Sequence, residues 1–267
     1  MSGRVLIAGG CATPMTDPVP EEVFYMLPFR AAKCLLDSLG LDPGILDFVI
    51  LSSYDVLDGR MISNMYAAMA SGAFLKYESR VSEDGTLALA YADALIRSNE
   101  ADIGLVVGYA AQEADMAYAS TLIMDPFIYR QLGTNYLAQL ALQAAAYIDR
   151  LGIMEYWDLI AGQIVSMDRR AGAANPRAHL RSPVDAGEVL DWEPIVWPLR
   201  ENMIPPRTRG AVALLLTSQE AAKKYMLEDT VEVAAIRWYT DSYYFGYNKL
   251  LYYLAPLARA AREAFRD

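Results

Sequence analysis

The chain has 267 residues, 54% of them hydrophobic and 21% charged, which is enough to bury one large core or two small ones. A formal charge of −10 and a pI near 4.7 argue against a nucleic-acid partner, since phosphate binding needs a cationic face. No apolar stretch approaches the roughly 18–20 residues that a membrane span requires.

The N-terminus, MSGRVLIAGGC, carries an apolar run of only four residues, Val5 to Ala8, ending in glycines. This reads as a first β-strand rather than a secretory signal. Two cysteines, Cys11 and Cys34, make neither a disulfide framework nor a metal site. The expectation is a reducing, cytoplasmic compartment, with Cys11 a small inert buried side chain and Cys34 part of the core. A helix is predicted from Pro28, which is tolerated in a first turn, to Leu39, with Gly40 as its left-handed stop. The run Phe48-Val49-Ile50-Leu51 then reads as a strand covered on both faces, as in a parallel sheet. A small-residue helix is predicted from about Met65 to Ala73.

The stretch Tyr77 to Tyr109, YESRVSEDGTLALAYADALIRSNEADIGLVVGY, is the most informative in the chain. A polar strand runs into Ser82, and a helix begins at once with Asp84, Gly85 and Thr86. Its stripe of Leu87, Ala90, Tyr91, Ala94 and Leu95 has helical spacing, and it should end at Asn99. The apolar strand Ile103–Gly108 follows. Such strand–helix–strand repeats predict a layered α/β fold with right-handed crossovers.

From about 112 to 206 the expectation is helix and loop without regular strands. One helix runs from Tyr136 to Leu151, closed by Gly152, and a second from Glu155 to about Ala171. Asn175-Pro176 and the prolines from Pro183 to Pro206 read as irregular connection. Strands resume at Gly210–Thr217 and Val231–Trp238. The aromatic segment WYTDSYYFGYNKLLYYL and a final helix to Phe265 close the chain; clustered tyrosines of this kind belong to an interface or core.

The order strand, Ser82, helix, strand resembles the N-terminal half of the thiolase superfamily, in which a reactive cysteine heads the helix in a C-x-S-G or C-x-T-G pattern. Counting back three from Gly85 lands on Ser82. Gly40-Leu41-Asp42-Pro43 followed by Leu46-Asp47-Phe48-Val49 is similar to the family's linker between first helix and second strand. Met124-Asp125-Pro126-Phe127 and Ala174–Ala178 (ANPRA) resemble segments of the loop insert in the sterol-carrier/archaeal branch. Gly210–Thr217 resembles the strand of the S-D-G-A-A-A motif, with Thr208-Arg209 in place of Ser-Asp. The resemblance implies a thiolase-like α/β core at 1–111 and 207–240, a loop-domain insert at 112–206, and an aromatic linker with a terminal helix at 241–267. It covers only one half of the duplicated unit. The second-half motifs (N-E-A-F or H-D-A-F, G-H-P and C-x-G) do not occur, so the chain is either short and completed by a partner or a piece of a longer one.

A serine in place of the cysteine changes the chemistry. A helix N-terminus turns a thiol into a usable thiolate, whereas a hydroxyl needs a general base within hydrogen-bond reach. The one histidine, His179, is not placed beside Ser82 by anything in the sequence, and Glu83 and Asp84 disfavour a nearby oxyanion. Ser82 therefore also reads as a helix N-cap. Two functions follow from the resemblance. One is a thiolase-like subunit of an acyl-CoA-handling complex, with acyltransferase or carbon–carbon lyase chemistry completed by a partner chain. The other is a non-catalytic structural or acyl-CoA-binding partner of an active thiolase. Both imply coenzyme A thioester as substrate or ligand, no further cofactor or metal, and a homo- or hetro-oligomer with a thiolase-like or acyl-CoA-binding subunit.

Overall fold

The computed structural model describes residues 3–19, 22–82, 85–112, 114–242 and 251–266. The chain divides into two compact units, one made of Met1–Ala114, Thr208–Trp238 and Arg262–Asp267, the other of Asp115–Arg207 and Tyr239–Ala261.

The first unit is a three-layered α/β structure around one six-stranded sheet. Its strands are β1 (Val5–Ala12), β2 (Phe48–Ser52), β3 (Tyr77–Val81), β4 (Ile103–Ala110), β7 (Gly210–Ser218) and β8 (Val231–Glu232). They lie in the order β3-β2-β4-β7-β1-β8. β2 runs parallel to both β3 and β4, while β7 is antiparallel to β4 and to β1. The sheet is therefore mixed. The strand–helix–strand repeats supply its parallel half, and the chain returning after residue 208 supplies the antiparallel one.

Every residue of β2 is buried, which is what an apolar run covered on both faces does. Val49 and Leu51 point to a core closed by α1 (Met26–Leu39) and α2 (Asn64–Ala70), through Leu27, Ala31, Leu35 and Ala67. Phe48 and Ile50 point to the opposite core, under Ala88, Ala92 and Ile96 of α3 (Gly85–Arg97). Gly104 is required here, because a Cβ at that position would meet the Phe48 ring at 2.5 Å. In β1 the pairing with β7 slips between Ile7 and Gly9, a bulge that accommodates Ala8.

α1 ends as predicted, with Gly40 at φ 66°, and α3 is followed by Asn99 at φ 59°, a left-handed position that Asn tolerates better than most residues. The last expected strand is much shorter than Val231–Trp238. Only Val231 and Glu232 pair, with Ile7 and Leu6, because β1 runs out of partners beyond the Val233 N–H bond to Val5 O. α7 (Gln219–Lys224) is capped by Ser218, whose Oγ accepts from Ala221 N.

The second unit is mainly helical: α4 (Met116–Ile123), α5 (Tyr136–Leu151) and α6 (Trp157–Ala173). Asn135 caps α5, accepting from Ala138 N at 3.0 Å, and Gly152 closes it at φ 64°. The expectation of no strands here is corrected by a short hairpin, β5 (Pro194–Val196) with β6 (Leu199–Arg200), turning at Trp197-Pro198. Trp157 Nε1 donates to Pro198 O at 3.2 Å, which ties α6 to that turn. The unit also contains most of α8 (Ala255–Ala264).

Cys11 and Cys34 are joined by a disulfide, correcting the expectation of two separate inert thiols. Cys34 is exposed rather than core. On α1 the buried stripe is Leu27, Pro28, Ala31, Ala32, Leu35 and Leu36, and Cys34 stands beside it on the solvent side. The bond also removes the argument for a reducing compartment that rested on unpaired thiols. Among the described residues no helix is long and apolar enough to cross a membrane.

Candidate functional site

Ligand sites in α/β sheets gather at the carboxyl ends of parallel strands, and here those ends are Ser52-Ser53 of β2, Val81-Ser82 of β3 and Tyr109-Ala110 of β4. Ser82 follows the last residue of β3 and is exposed. The Val81 carbonyl accepts from Ser53 N at 3.4 Å, so Ser53 and Ser82 sit side by side. α3 opens three residues later at Gly85, bringing the positive end of its dipole to this corner. The expected capping of α3 by the Ser82 hydroxyl involves Glu83 and Asp84, which lie outside the described residues. Beside the first turn lies a cavity of about 290 Å³ lined by Gly85, Thr86, Leu89, Val106, Gly108 and Val212, among others.

Next to Ser82 the strand ends carry a polar network that the sequence reading did not single out. Arg80 donates to Asp55 at 2.6 Å, both being largely buried. Asp55 also accepts from Ile62 N at 2.8 Å and Ser63 N at 3.3 Å. Burial pushes the Asp55 carboxyl up. Hydrogen bonds from the Ser63 hydroxyl and these two amides, together with Arg80, outweigh it and hold the group below the usual carboxylate value. Ser63 Oγ lies 3.0 Å from Ser53 Oγ and 2.7 Å from Tyr109 Oη, a buried three-hydroxyl chain reaching in from the Arg80–Asp55 pair. Burial raises the Tyr109 hydroxyl above its ordinary value, against the lowering effect of bonds to Ser53 and Ser63.

Asp58 is the deepest acid of the group, at 1% exposure. Its Oδ1 accepts from Ala111 N at 2.7 Å and Gln112 N at 3.1 Å, while Oδ2 is buried with no hydrogen-bond partner. Burial raises its pKa despite the two amides. Asp58 thereby braces the chain as it leaves β4, where Gln112 takes φ 45° and accepts Thr208 N at 2.8 Å. The available signal was the pair of acids three apart in SSYDVLDGR. The partners of Asp58 lie more than 50 residues on, in the backbone, which no pattern of side chains reveals.

His179 belongs to the second unit and Ser82 to the first. The expected tyrosine cluster divides: Tyr243, Tyr244 and Tyr247 lie outside the described residues, while Tyr252 and Tyr253 line an apolar cavity of about 730 Å³ in the second unit with Tyr136, Leu140, Tyr147 and Leu257. Arg150 covers the Tyr252 ring at 5.5 Å. No group of metal-ligating side chains is found among the described residues.

No family model and no curated protein matches the sequence. Solved structures do match the fold. An SCP2-thiolase-like protein type 1 from Mycobacterium smegmatis, described as monomeric, aligns with a TM-score of 0.75 at 18% identity over 98% of this chain and 56% of its own. The Ltp2–ChsH2(DUF35) aldolase aligns at 0.68 and 18% identity, over 86% of this chain and 58% of its own. Human mitochondrial 3-ketoacyl-CoA thiolase in complex with CoA aligns at 0.59 and 14% identity, over 88% and 69%. The fold is thiolase-like, as the resemblance implies, and the chain spans little more than half the length of the first two structures.

Proposed function

We propose that this chain is the thiolase-like subunit of an acyl-CoA-handling assembly, holding the thioester at the corner between β3 and α3. The observation that carries this is the exposed Ser82 at the carboxyl end of β3, beside the first turn of α3 and its small cavity. Helix dipole and backbone donors favour a polarised thioester carbonyl there. The human thiolase of the same fold is in complex with CoA, and the aldolase is Ltp2–ChsH2(DUF35). Both kinds of partner, a CoA thioester and a second protein, fit this reading.

Ser82 binds rather than attacks. A serine nucleophile needs an adjacent base, and the first unit's own residues include no histidine. Carbon–carbon cleavage next to a thioester does not require an acyl-enzyme, so the assembly retains a lyase role open to a partner's base. A purely structural or acyl-CoA-binding role is the second reading, favoured by the same missing base. Calorimetric titration with acetyl-CoA tests the site. Saturable binding that Ser82→Asp weakens at least tenfold, with no acyl adduct on Ser82 by intact mass, is the expected result. Acylated Ser82 would make the chain a nucleophilic enzyme, and absence of binding would dismiss the thioester site.

A further inference from the structure

The disulfide opens on a cavity of its own. Cys11 near the end of β1, and Leu27, Arg30 and Cys34 on α1, line a space of about 400 Å³ together with Thr13 and Glu22, a size that holds small ligands. Positions 27, 30 and 34 follow helical spacing on one face of α1, so Arg30 and Cys34 border the same space. The two sulfurs differ in access: Cys34 is exposed and Cys11 half-buried. A disulfide is broken by a thiolate that bonds to one sulfur and expels the other, and access decides which sulfur is attacked. Access here selects Cys34 for attack and Cys11 as the sulfur that leaves.

The charges around the bond favour an anion. Arg30 pairs with Glu22, and so does Arg209, whose Nη2 lies 3.1 Å from Glu22 Oε2. Arg209 is only 3% exposed, and its Nε and Nη2 are buried without a hydrogen bond. Two guanidiniums on one carboxylate give the trio a net positive charge. Arg30 presents its share of that charge on a side chain that is 56% exposed. Lys33, beside Cys34, is held by Asp37 at 2.7 Å. A guanidinium matches carboxylate and phosphate oxygens with paired donors.

We propose that the Cys11–Cys34 bond is a thiol-exchange site for small anionic thiols, with Arg30 receiving the acidic group and Cys34 the sulfur. The thiolate R–S⁻ bonds to Cys34 Sγ and the bond between the two cysteines breaks. Cys11 leaves with the electron pair and takes up the proton that the thiol gave up. The entering thiol is thereby oxidised to half of a mixed disulfide, and Cys11 is reduced. A second thiol attacking the mixed disulfide releases R–S–S–R and leaves two protein thiols. Cys11 remains in β1 and can instead return to Cys34 and expel the first thiol, so the exchange is reversible. Glutathione and coenzyme A share the required chemistry, a thiol on an anionic body. Ser82, four strands away across the sheet, takes no part.

Opening of the native disulfide can be timed by acid quench, alkylation and intact mass. Each thiol's rate is divided by its rate on hydroxyethyl disulfide, which removes intrinsic nucleophilicity. On that scale 3-mercaptopropionate should outpace uncharged 2-mercaptoethanol about threefold, and cationic cysteamine should be slowest. The ratio should fall toward one in Arg30→Gln and rise in Glu22→Gln, which releases the guanidiniums. A change in access alone moves all three thiols together and leaves the ratio fixed. Cys11→Ser should take glutathione from glutathione disulfide onto Cys34 faster than Cys34→Ser takes it onto Cys11. Separate arms with glutathione and coenzyme A assign the source by which forms the mixed disulfide faster. Equal normalised rates for the three charges, preferential attack at Cys11, or a native disulfide that no thiol opens overturns the proposal.

Discussion

Two acids three residues apart, Asp55 and Asp58, sit in one loop and have opposite electrostatics. Asp55 is held below the usual carboxylate value by Ser63, two amides and Arg80 in spite of its burial, and Asp58 is raised by burial in spite of two amides. An acid with a raised folded-state pKa contributes its stability in full below its unfolded value, about 3.9, and loses it as pH rises through the folded value. A lowered one contributes above the unfolded value and loses it as pH falls through the folded value. Denaturant unfolding of wild type and Asp58→Asn should therefore show wild type losing ground to the variant as pH rises above about 4. For Asp55→Asn the advantage of wild type should disappear below about pH 4. Asp58→Ala leaves the buried amides of Ala111 and Gln112 without an acceptor and should cost about 1–3 kcal/mol. An unchanged midpoint would mean that the brace at the end of β4 is not held by this carboxyl.

At the scale of elements, legibility follows how local the determinants are. α5 keeps its predicted bounds because a cap, an apolar stripe and a terminal glycine all lie within its own residues. β2 and the β3–Ser82–α3 corner were equally legible, since burial on both faces and the change of period from strand to helix are written in sequence order. β8 was not. Its composition suits a longer strand, but length is set by how much of β1 is left to pair with. The small hairpin at Trp197-Pro198 hides among prolines for the same reason. The disulfide was missed because the partners of Cys11 depend on which face of the sheet its side chain takes, a tertiary fact. It closes a loop across 23 positions, for which the chain-entropy model gives about 3 kcal/mol. Reduction, or Cys34→Ser, should lower the unfolding free energy by that order, and thiol labelling of the native unreduced chain should find no reactive sulfur. Labelling of two thiols would restore the expectation of separate cysteines.

For the whole molecule, the two faces of the sheet are unequal. Among the described residues α1, α2 and α7 pack on one and α3 packs on the other. On that second face Val212 of β7 is 38% exposed and Val231 of β8 is 68% exposed, while Ile7 and Leu214 are half-buried. Exposed apolar residues of this kind mark a surface suited to association. It follows that the chain by itself should exchange no acyl group between acetyl-CoA and labelled CoA, whatever it binds. Exchange above the uncatalysed rate would show that the residues present suffice for catalysis.

The slip in β1 at Ala8 has an outcome at the far end of the strand. Before it, Val5 and Ile7 look toward α3; after it, Gly9 and Cys11 lie opposite Leu215 and Ala213, which look toward α1. Strict alternation would send Cys11 to the same side as Val5, with the whole sheet between its sulfur and Cys34. By absorbing one residue, the slip thus sets which wall of the sheet the crosslink fastens. Deleting Ala8 closes the bulge and keeps Cys11 opposite Ala213, so the crosslink should survive, and alkylation of both sulfurs in the unreduced variant would overturn this reading of the slip.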